Sequence, residues 1–173
     1  MAQSRLIVPQ QCKGHANLHR PRADYGQSVV KDFEMIEPHL PAKVASILDI
    51  GCGLAGIDVL LKQKYPDAKL SLLDSDGKHS NSGFTGGAGG NRQAAEELLA
   101  ANGVKPDAWL DIGTKELLEA DLVISLLSWG FHYPLSTYKV KGLCVADLRR
   151  GHEKPRGTVI WKASKSDRCL WSH

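Results

Sequence analysis

The feature that most constrains this fold is a short apolar segment that runs directly into a glycine-rich turn. Residues 45–50 predict a buried strand, and a Gly-x-Gly-x-x-Gly turn follows from position 51. Because glycine has no Cβ, such a turn lets the backbone approach a nucleoside-type ligand closely. A second apolar segment, Lys69–Leu73, ends at Asp74, where a carboxylate is placed to accept hydrogen bonds from ribose hydroxyls. We therefore expect a βαβ unit with a ligand site at the carboxyl ends of its strands.

Strands and helices alternate along the chain with short connections between them. This alternation predicts an α/β fold with a Rossmann-like, doubly wound and mainly parallel sheet. Little chain remains after the fourth predicted strand, so we expect the sheet to be abbreviated at its C-terminal edge. We expect residues 1–27 to form an N-terminal arm or lid, and residues 28–173 to form a single domain. The predicted strands lie at residues 45–50, 69–73, 108–112, 122–127, 142–145 and 158–161, and the predicted helices at residues 28–40, 57–64, 92–101 and 114–120.

Composition indicates one globular domain and argues against several classes of protein. The 173 residues are 42% hydrophobic and 24% charged, which is ordinary for a globular chain. A formal charge of +3 is too small to demand a nucleic acid or a membrane as partner. The four cysteines form no Cys-x-x-Cys pair and no apolar run reaches transmembrane length, so we expect neither a zinc site nor a membrane span. A cytoplasmic location follows as an expectation.

Residues 51–56 match the fingerprint of dinucleotide-binding proteins, but three observations favour a different ligand. Asp49 is an acid where nicotinamide-binding folds usually have an apolar residue, and it can receive a positively charged amino group. The turn lies almost fifty residues into the chain, and too little chain follows for a separate substrate domain. Asp49 and the Cys-Gly pair at 52–53 resemble motif I of the class I S-adenosylmethionine (SAM) methyltransferases.

A longer segment resembles one group within that class. Residues 121–134 are similar to a segment of small bacterial and phage proteins assigned as sugar O-methyltransferases. Residues 85–90 depart from the group, which has a bulkier, aromatic sequence there. The resemblance implies in-line transfer of a methyl group from SAM to a hydroxyl of a small molecule or sugar. Further shared sequences are Leu-Leu-Asp at residues 72–74, Gly-Phe at 83–84 and Asn-Gly-Val at 102–104.

The resemblance also implies which residues bind the cofactor. Asp49 and the glycine turn would hold the methionine end, and Asp74 would hold the ribose, with Asp76 as the alternative. Asp111 would accept a hydrogen bond from the adenine amino group, or it caps the helix predicted from Thr114. No metal ligand is predicted, because the fourth strand does not end in a carboxylate. The predicted cofactor-binding residues are Asp49, Gly51, Cys52, Gly53, Asp74, Ser75, Asp111, Ile112, Leu127 and Ser128.

The loop after the fourth predicted strand supplies the candidate base. A base is needed only to take a proton from the methyl acceptor. Residues 128–134 carry one titratable base, His132, whose imidazole changes charge near neutral pH. We predict His132 as the catalytic residue, with a hydrogen-bonded structural histidine as the alternative. The aromatic residues of the loop are expected to pack more than to stack on a ligand, and Tyr25 and His79 are weaker candidates.

Three other functions compete with this prediction. A methyltransferase that acts on RNA or protein is the nearest, although no Asn-Pro-Pro-Tyr or Asp-Pro-Pro-Tyr motif follows the fourth strand and a nucleic-acid partner is not favoured. A SAM-binding protein without catalysis, acting as a regulator or scaffold, is the alternative from another class. An NAD-linked reductase ranks third. Neither the oligomeric state nor the identity of the acceptor is predicted.

Overall fold

The computed structural model describes residues 5–12, 24–75, 92–149, 153–164 and 166–172. Within these ranges seven strands form one sheet, accompanied by three α-helices. The strands are β1 Ser46–Ile50, β2 Lys69–Leu73, β3 Ala108–Leu110, β4 Leu117–Ser125, β5 Lys139–Asp147, β6 Thr158–Lys162 and β7 Arg168–Ser172. The helices are α1 Tyr25–Ile36, α2 Gly56–Lys64 and α3 Arg92–Ala101, with 3₁₀ turns at Gln10–Cys12, Glu37–His39 and Leu135–Thr137.

The sheet has the strand order β3-β2-β1-β4-β5-β7-β6, with β1 near its centre. The first five strands of this order pair in parallel, and β7 is antiparallel to both β5 and β6. The chain moves outward from β1 to β3 and then returns to place β4 on the other side of β1. A crevice forms at such a reversal, at the carboxyl ends of the strands. The predicted α/β class with a Rossmann-like, mainly parallel sheet is confirmed.

The two faces of the sheet are covered in different ways. Successive strand side chains point to opposite faces, so Ile47 packs in one apolar cluster and Leu48 in the other. The three helices described by the structure all contribute to the cluster that contains Ile47. The opposite cluster is completed by residues of the 129–138 segment and by Trp171 of β7. Asp49 shares the strand face of Ile47 and therefore points toward the helical layer.

The C-terminal edge is not shortened in the way we expected. This edge carries β7 and β6, so the sheet has seven strands. The connections between β4, β5 and β6 are short instead. The described parts of those connections contain one 3₁₀ turn and no α-helix. The sequence prediction missed β7, because its five residues lie beside a polar Ser-Lys-Ser segment and show little alternation.

The helix predicted at residues 114–120 is wrong, because β4 begins at Leu117. Leucine, glutamate and alanine at 117–120 all favour helix, but Leu117–Glu119 pair with Lys139–Lys141 of β5. Their burial alternates, with Leu118 and Ala120 buried and Leu117 and Glu119 exposed. Pairing with a neighbouring strand therefore overrides the local helix preference.

Local signals explain where α1 begins. Asp24 caps the helix, because its side chain accepts a hydrogen bond from Gln27 N at 2.9 Å. The helix thus starts three residues before the predicted boundary at 28. Of the predicted arm, residues 5–12 lie against the helical layer: Ile7 N donates to Asn102 Oδ1 at 2.8 Å and Gln63 Nε2 donates to Arg5 O at 2.6 Å. The role of residues 1–27 as an arm or lid stays a prediction.

No helix in the described part of the chain is both long enough and apolar enough to cross a membrane.

We predict that Gly142→Ala destabilises the fold more than Gly103→Ala. Gly142 has φ +143° beside the irregularity of β4, and a Cβ there would lie 1.9 Å from Ala120 O. Gly103 has φ +70° but no atom within 4 Å of an added Cβ, so its substitution costs only backbone strain. Chemical denaturation should show an extra loss of about 2 kcal/mol or more for Gly142→Ala. Equal losses for the two variants would contradict the proposed steric conflict.

Candidate functional site

The glycine turn brings the ends of three strands together. Gly51 and Gly53 have φ of +76° and +55°, and Gly51 N donates a hydrogen bond to Leu73 O of β2 at 2.6 Å. On the other side, an added Cβ on Gly51 would lie 1.8 Å from Ser128 Oγ, just beyond β4. A side chain at position 51 is therefore excluded both by backbone conformation and by contact with Ser128.

Asp74, at the end of β2, is tied directly to the glycine turn. Its Oδ2 accepts a hydrogen bond from Gly53 N at 2.6 Å, and its Oδ1 accepts one from Ser75 N at 2.6 Å. Backbone donors thus fix the carboxylate of Asp74 beside the turn. The predicted group of Gly51, Gly53, Asp74 and Ser75 is brought together at the crevice.

A pair of buried carboxyls lies at the root of this crevice. Asp49 of β1 is 2% exposed and Asp58, in the first turn of α2, is 0% exposed. Asp49 Oδ1 has no hydrogen-bond partner among the described residues, and the side chains of Asp49 and Asp58 lie close enough to share a hydrogen bond. Burial raises the pKa of Asp49 well above its ordinary value, and the nearby Asp58 raises it further. Burial also raises the pKa of Asp58, to about 7. Because two adjacent buried carboxylates repel each other, the pair retains a proton near neutral pH.

Tyr25 lies against the other end of the turn. Gly56 N donates to Tyr25 Oη at 3.2 Å, and a Cβ on Gly56 would lie 2.7 Å from that oxygen. Burial raises the pKa of Tyr25, so its hydroxyl keeps its proton. Tyr25 was a weaker candidate because we expected it to lie in a flexible segment. In the structure it is the first residue of α1 and contacts a turn thirty-one positions away.

The end of β4 forms the far wall of the crevice. Ser125 is buried, and its Oγ donates to Ile50 O at 2.7 Å and accepts from Trp129 N at 2.8 Å. Ser128 Oγ lies 3.0 Å from Tyr133 Oη. Burial raises the pKa of Tyr133, which therefore remains protonated. Two hydroxyls thus lie beside Gly51.

The predicted base lies in the same loop but on its outer side. The His132 side chain is exposed, its ring meets Phe131 edge-on at 5.0 Å, and its backbone N donates to Ser128 O. Partial burial, followed by the charge of Arg149, lowers the pKa of His132. A neutral imidazole can accept a proton. The role of His132 as catalytic base stays a prediction.

The remaining predicted residues occupy the borders of the crevice. Asp111 follows β3 and accepts a hydrogen bond from Gly113 N at 2.5 Å; it caps a turn, because the helix expected after it is absent. Ile112 O accepts a hydrogen bond from Tyr138 Oη at 3.0 Å. Cys52 is half-buried, and burial raises its pKa well above the ordinary value. Trp129 is buried and donates from Nε1 to Leu135 O, so it packs in the core.

Some of the predicted or weighed residues lie outside the described ranges. These are Asp76, His79, the Gly-Phe pair at 83–84 and the divergent segment at 85–90.

Solved structures share this fold at low sequence identity. A ribosomal protein L11 methylase from Lactobacillus delbrueckii subsp. bulgaricus is 15% identical, with a TM-score of 0.52, over 85% of this chain and 80% of that one. A protein from Pyrococcus horikoshii OT3 is 14% identical, with a TM-score of 0.53, over 82% and 66% of the two chains. A Nostoc punctiforme PCC 73102 protein assigned as an O-methyltransferase is 13% identical, with a TM-score of 0.51, over 84% and 44%. The chain thus spans less than two thirds of the last two proteins.

The fold is therefore that of the class I SAM-dependent methyltransferases, as the sequence resemblance implied. No protein-family model matches the chain, and a search of curated proteins finds no match.

We predict that Asp58→Asn stabilises the chain increasingly as the pH rises. A carboxyl whose pKa is raised by folding keeps its proton when folded and releases it when unfolded. The free-energy penalty that this carboxyl imposes on folding therefore grows as the pH rises above the ordinary pKa. It reaches its full value once the pH exceeds the raised pKa. Since one pKa unit is about 1.4 kcal/mol, the advantage of the variant should grow by roughly 2–3 kcal/mol between about pH 5 and pH 8.

Denaturation at several pH values measures this gain, and Asp67→Asn is the control. Asp67 is exposed, so its substitution should leave the pH dependence unchanged. A pH-independent effect of Asp58→Asn would show that the buried pair does not hold a proton.

Proposed function

We propose that this chain binds SAM at the crevice and transfers its methyl group to a hydroxyl of a small molecule or sugar. The observation that carries the proposal is the hydrogen bond from Gly53 N to Asp74 Oδ2. It joins the glycine turn after β1 to the acid after β2, at the side of the sheet where the strand order reverses. Ligands of open α/β sheets bind at that point.

The chemical character of the crevice fits SAM. The buried Asp49 Oδ1, to which no described group donates, offers an acceptor for the cationic amino group of the methionine moiety, directly or through water. Asp74 would accept from the ribose hydroxyls, and Asp111 with Ile112 would meet the adenine. When bound, SAM supplies an electrophilic methyl group on a sulfonium centre.

The acceptor would lie on the Ser128 side of the turn. Ser128 and Tyr133 place two hydroxyls there, and Tyr133 stays protonated because burial raises its pKa. It therefore acts as a hydrogen-bond donor that orients the acceptor oxygen, a contribution of positioning. His132, neutral at pH 7, would take the proton that the acceptor hydroxyl loses.

We predict that Asp74→Asn weakens SAM binding about 10- to 100-fold. The variant removes the charge from hydrogen bonds to the ribose, which are worth about 1.5–3 kcal/mol when one partner is ionised. Calorimetry with SAM, S-adenosylhomocysteine and NADH measures the affinities, and wild-type protein should bind the first two.

Asp107→Asn is the matched control for that experiment. Like Asp74, Asp107 accepts a hydrogen bond from a backbone amide, in this case from Leu70 N to Oδ2 at 2.7 Å. Asp107 lies at the amino end of β3, however, away from the crevice. SAM affinity should be unchanged in this variant. Tight NADH binding without SAM binding would instead support a reductase.

A labelled-methyl assay identifies the acceptor class. Sugars and small hydroxyl compounds should be labelled, whereas RNA and protein should not, and His132→Ala should reduce the rate. Labelling of RNA or protein would contradict the proposed substrate class and support a methyltransferase that acts on macromolecules.

SAM binding without catalysis is the second candidate, and one observation favours it. The His132 side chain is exposed on the outer side of its loop, while the hydroxyls beside Gly51 hold their protons. A chain that binds SAM but labels no acceptor of any class would support this alternative.

A further inference from the structure

One buried guanidinium in β7 connects two distant parts of the chain. Arg168 Nε and Nη2 donate to the two carboxylate oxygens of Asp147, at 3.0 Å each. Its Nη1 donates to Asp32 Oδ1 of α1 at 2.9 Å. The side chains of Arg168 and Asp147 are each 5% exposed, so this two-pronged ion pair is held in the interior. Such pairs fix geometry as well as charge.

Asp147 also contacts the turn that follows β4. Its Oδ2 also accepts a hydrogen bond from Leu127 N at 3.2 Å, in the turn that follows β4. Leu127 has φ +60°, a left-handed conformation that costs a side-chain-bearing residue free energy unless its surroundings hold it. The next residue, Ser128, is the one that lies against Gly51.

We propose that Asp147 is a positioning residue for the SAM site, held by Arg168 and acting through Leu127. It fixes the strained turn after β4 so that Ser128 remains against Gly51. The inference rests on the proposed function, because it assigns a role in SAM binding. It adds that β7, at the far side of the sheet from β2, determines the shape of the crevice.

The two carboxylate partners of Arg168 provide a matched pair of variants. Asp147→Ala and Asp32→Ala each remove one carboxylate partner of Arg168, and each leaves the other in place. Both should lower Tm by several degrees, because each removes a partner from a buried charge. Only Asp147→Ala also removes the acceptor of Leu127 N.

Three variants of the full chain are compared by calorimetry with SAM. Asp147→Ala should weaken SAM binding about tenfold, and Asp32→Ala should change it less than twofold. Asp147→Asn should recover affinity to within about threefold of wild type, since its amide oxygen still accepts from Leu127 N, although its Tm remains low. If Asp147→Ala does not fold, Asp147→Ser takes its place. The serine side chain keeps a polar group but ends one bond before the position of the Asp147 carboxylate oxygens, so it does not reach Leu127 N.

Amide hydrogen exchange gives a second readout that a purely structural role would not produce. Exchange at Leu127 should accelerate in Asp147→Ala and remain at the wild-type rate in Asp32→Ala. Equal changes of SAM affinity in the two alanine variants overturn the positioning role and leave the proposed function standing. A wild-type chain that does not bind SAM overturns both.

Discussion

The site depends on the absence of a side chain at position 51. Gly51 donates to the end of β2 through Leu73 O and lies against Ser128 beyond β4, so three strands converge on one residue. A Cβ at this position would force the strand ends apart. The carboxylate of Asp74, held by Gly53 N, and the hydroxyl of Ser128, against Gly51, are therefore placed by the same glycine turn before any ligand binds. Preorganisation of this kind reduces the ordering cost of binding.

Charge is distributed unevenly around that point. Asp49 and Asp58 are buried on the helical side with no ion-pair partner among the described residues, whereas Asp147, farther along the same face of the sheet, is neutralised by Arg168. An unpaired buried carboxyl is costly unless it is protonated or meets a cation. The pair at Asp49 therefore depends on a retained proton, or on a cation that binds there, while Asp147 has structural partners. Burial alone does not distinguish the two; the presence or absence of an ion-pair partner does.

The sequence predicted the first half of the sheet better than the second half. The glycine turn and the acid at Asp74 are local signals, and the structure brings these residues together as expected. The segment at 117–120 was predicted as helix because its residue types favour helix, whereas its strand pairs depend on β5. Tyr25 reaches the turn only through helix packing, so spacing along the chain could not reveal it. Contacts between distant segments are what local patterns leave undetermined.

Among the described residues, α-helices cover only one face of the sheet, and this arrangement restricts how the site can open. The loop that carries Ser128 and Tyr133 also supplies Trp129 to the core, where its ring lies 6.1 Å from that of Trp171. In the described chain no α-helix covers that face in its place. Swinging the loop outward would expose the apolar interior to water, at about 25 cal/mol for each Å² uncovered. Movement of this wall is therefore costly, and changes of the wall that broaden specificity will cost thermal stability.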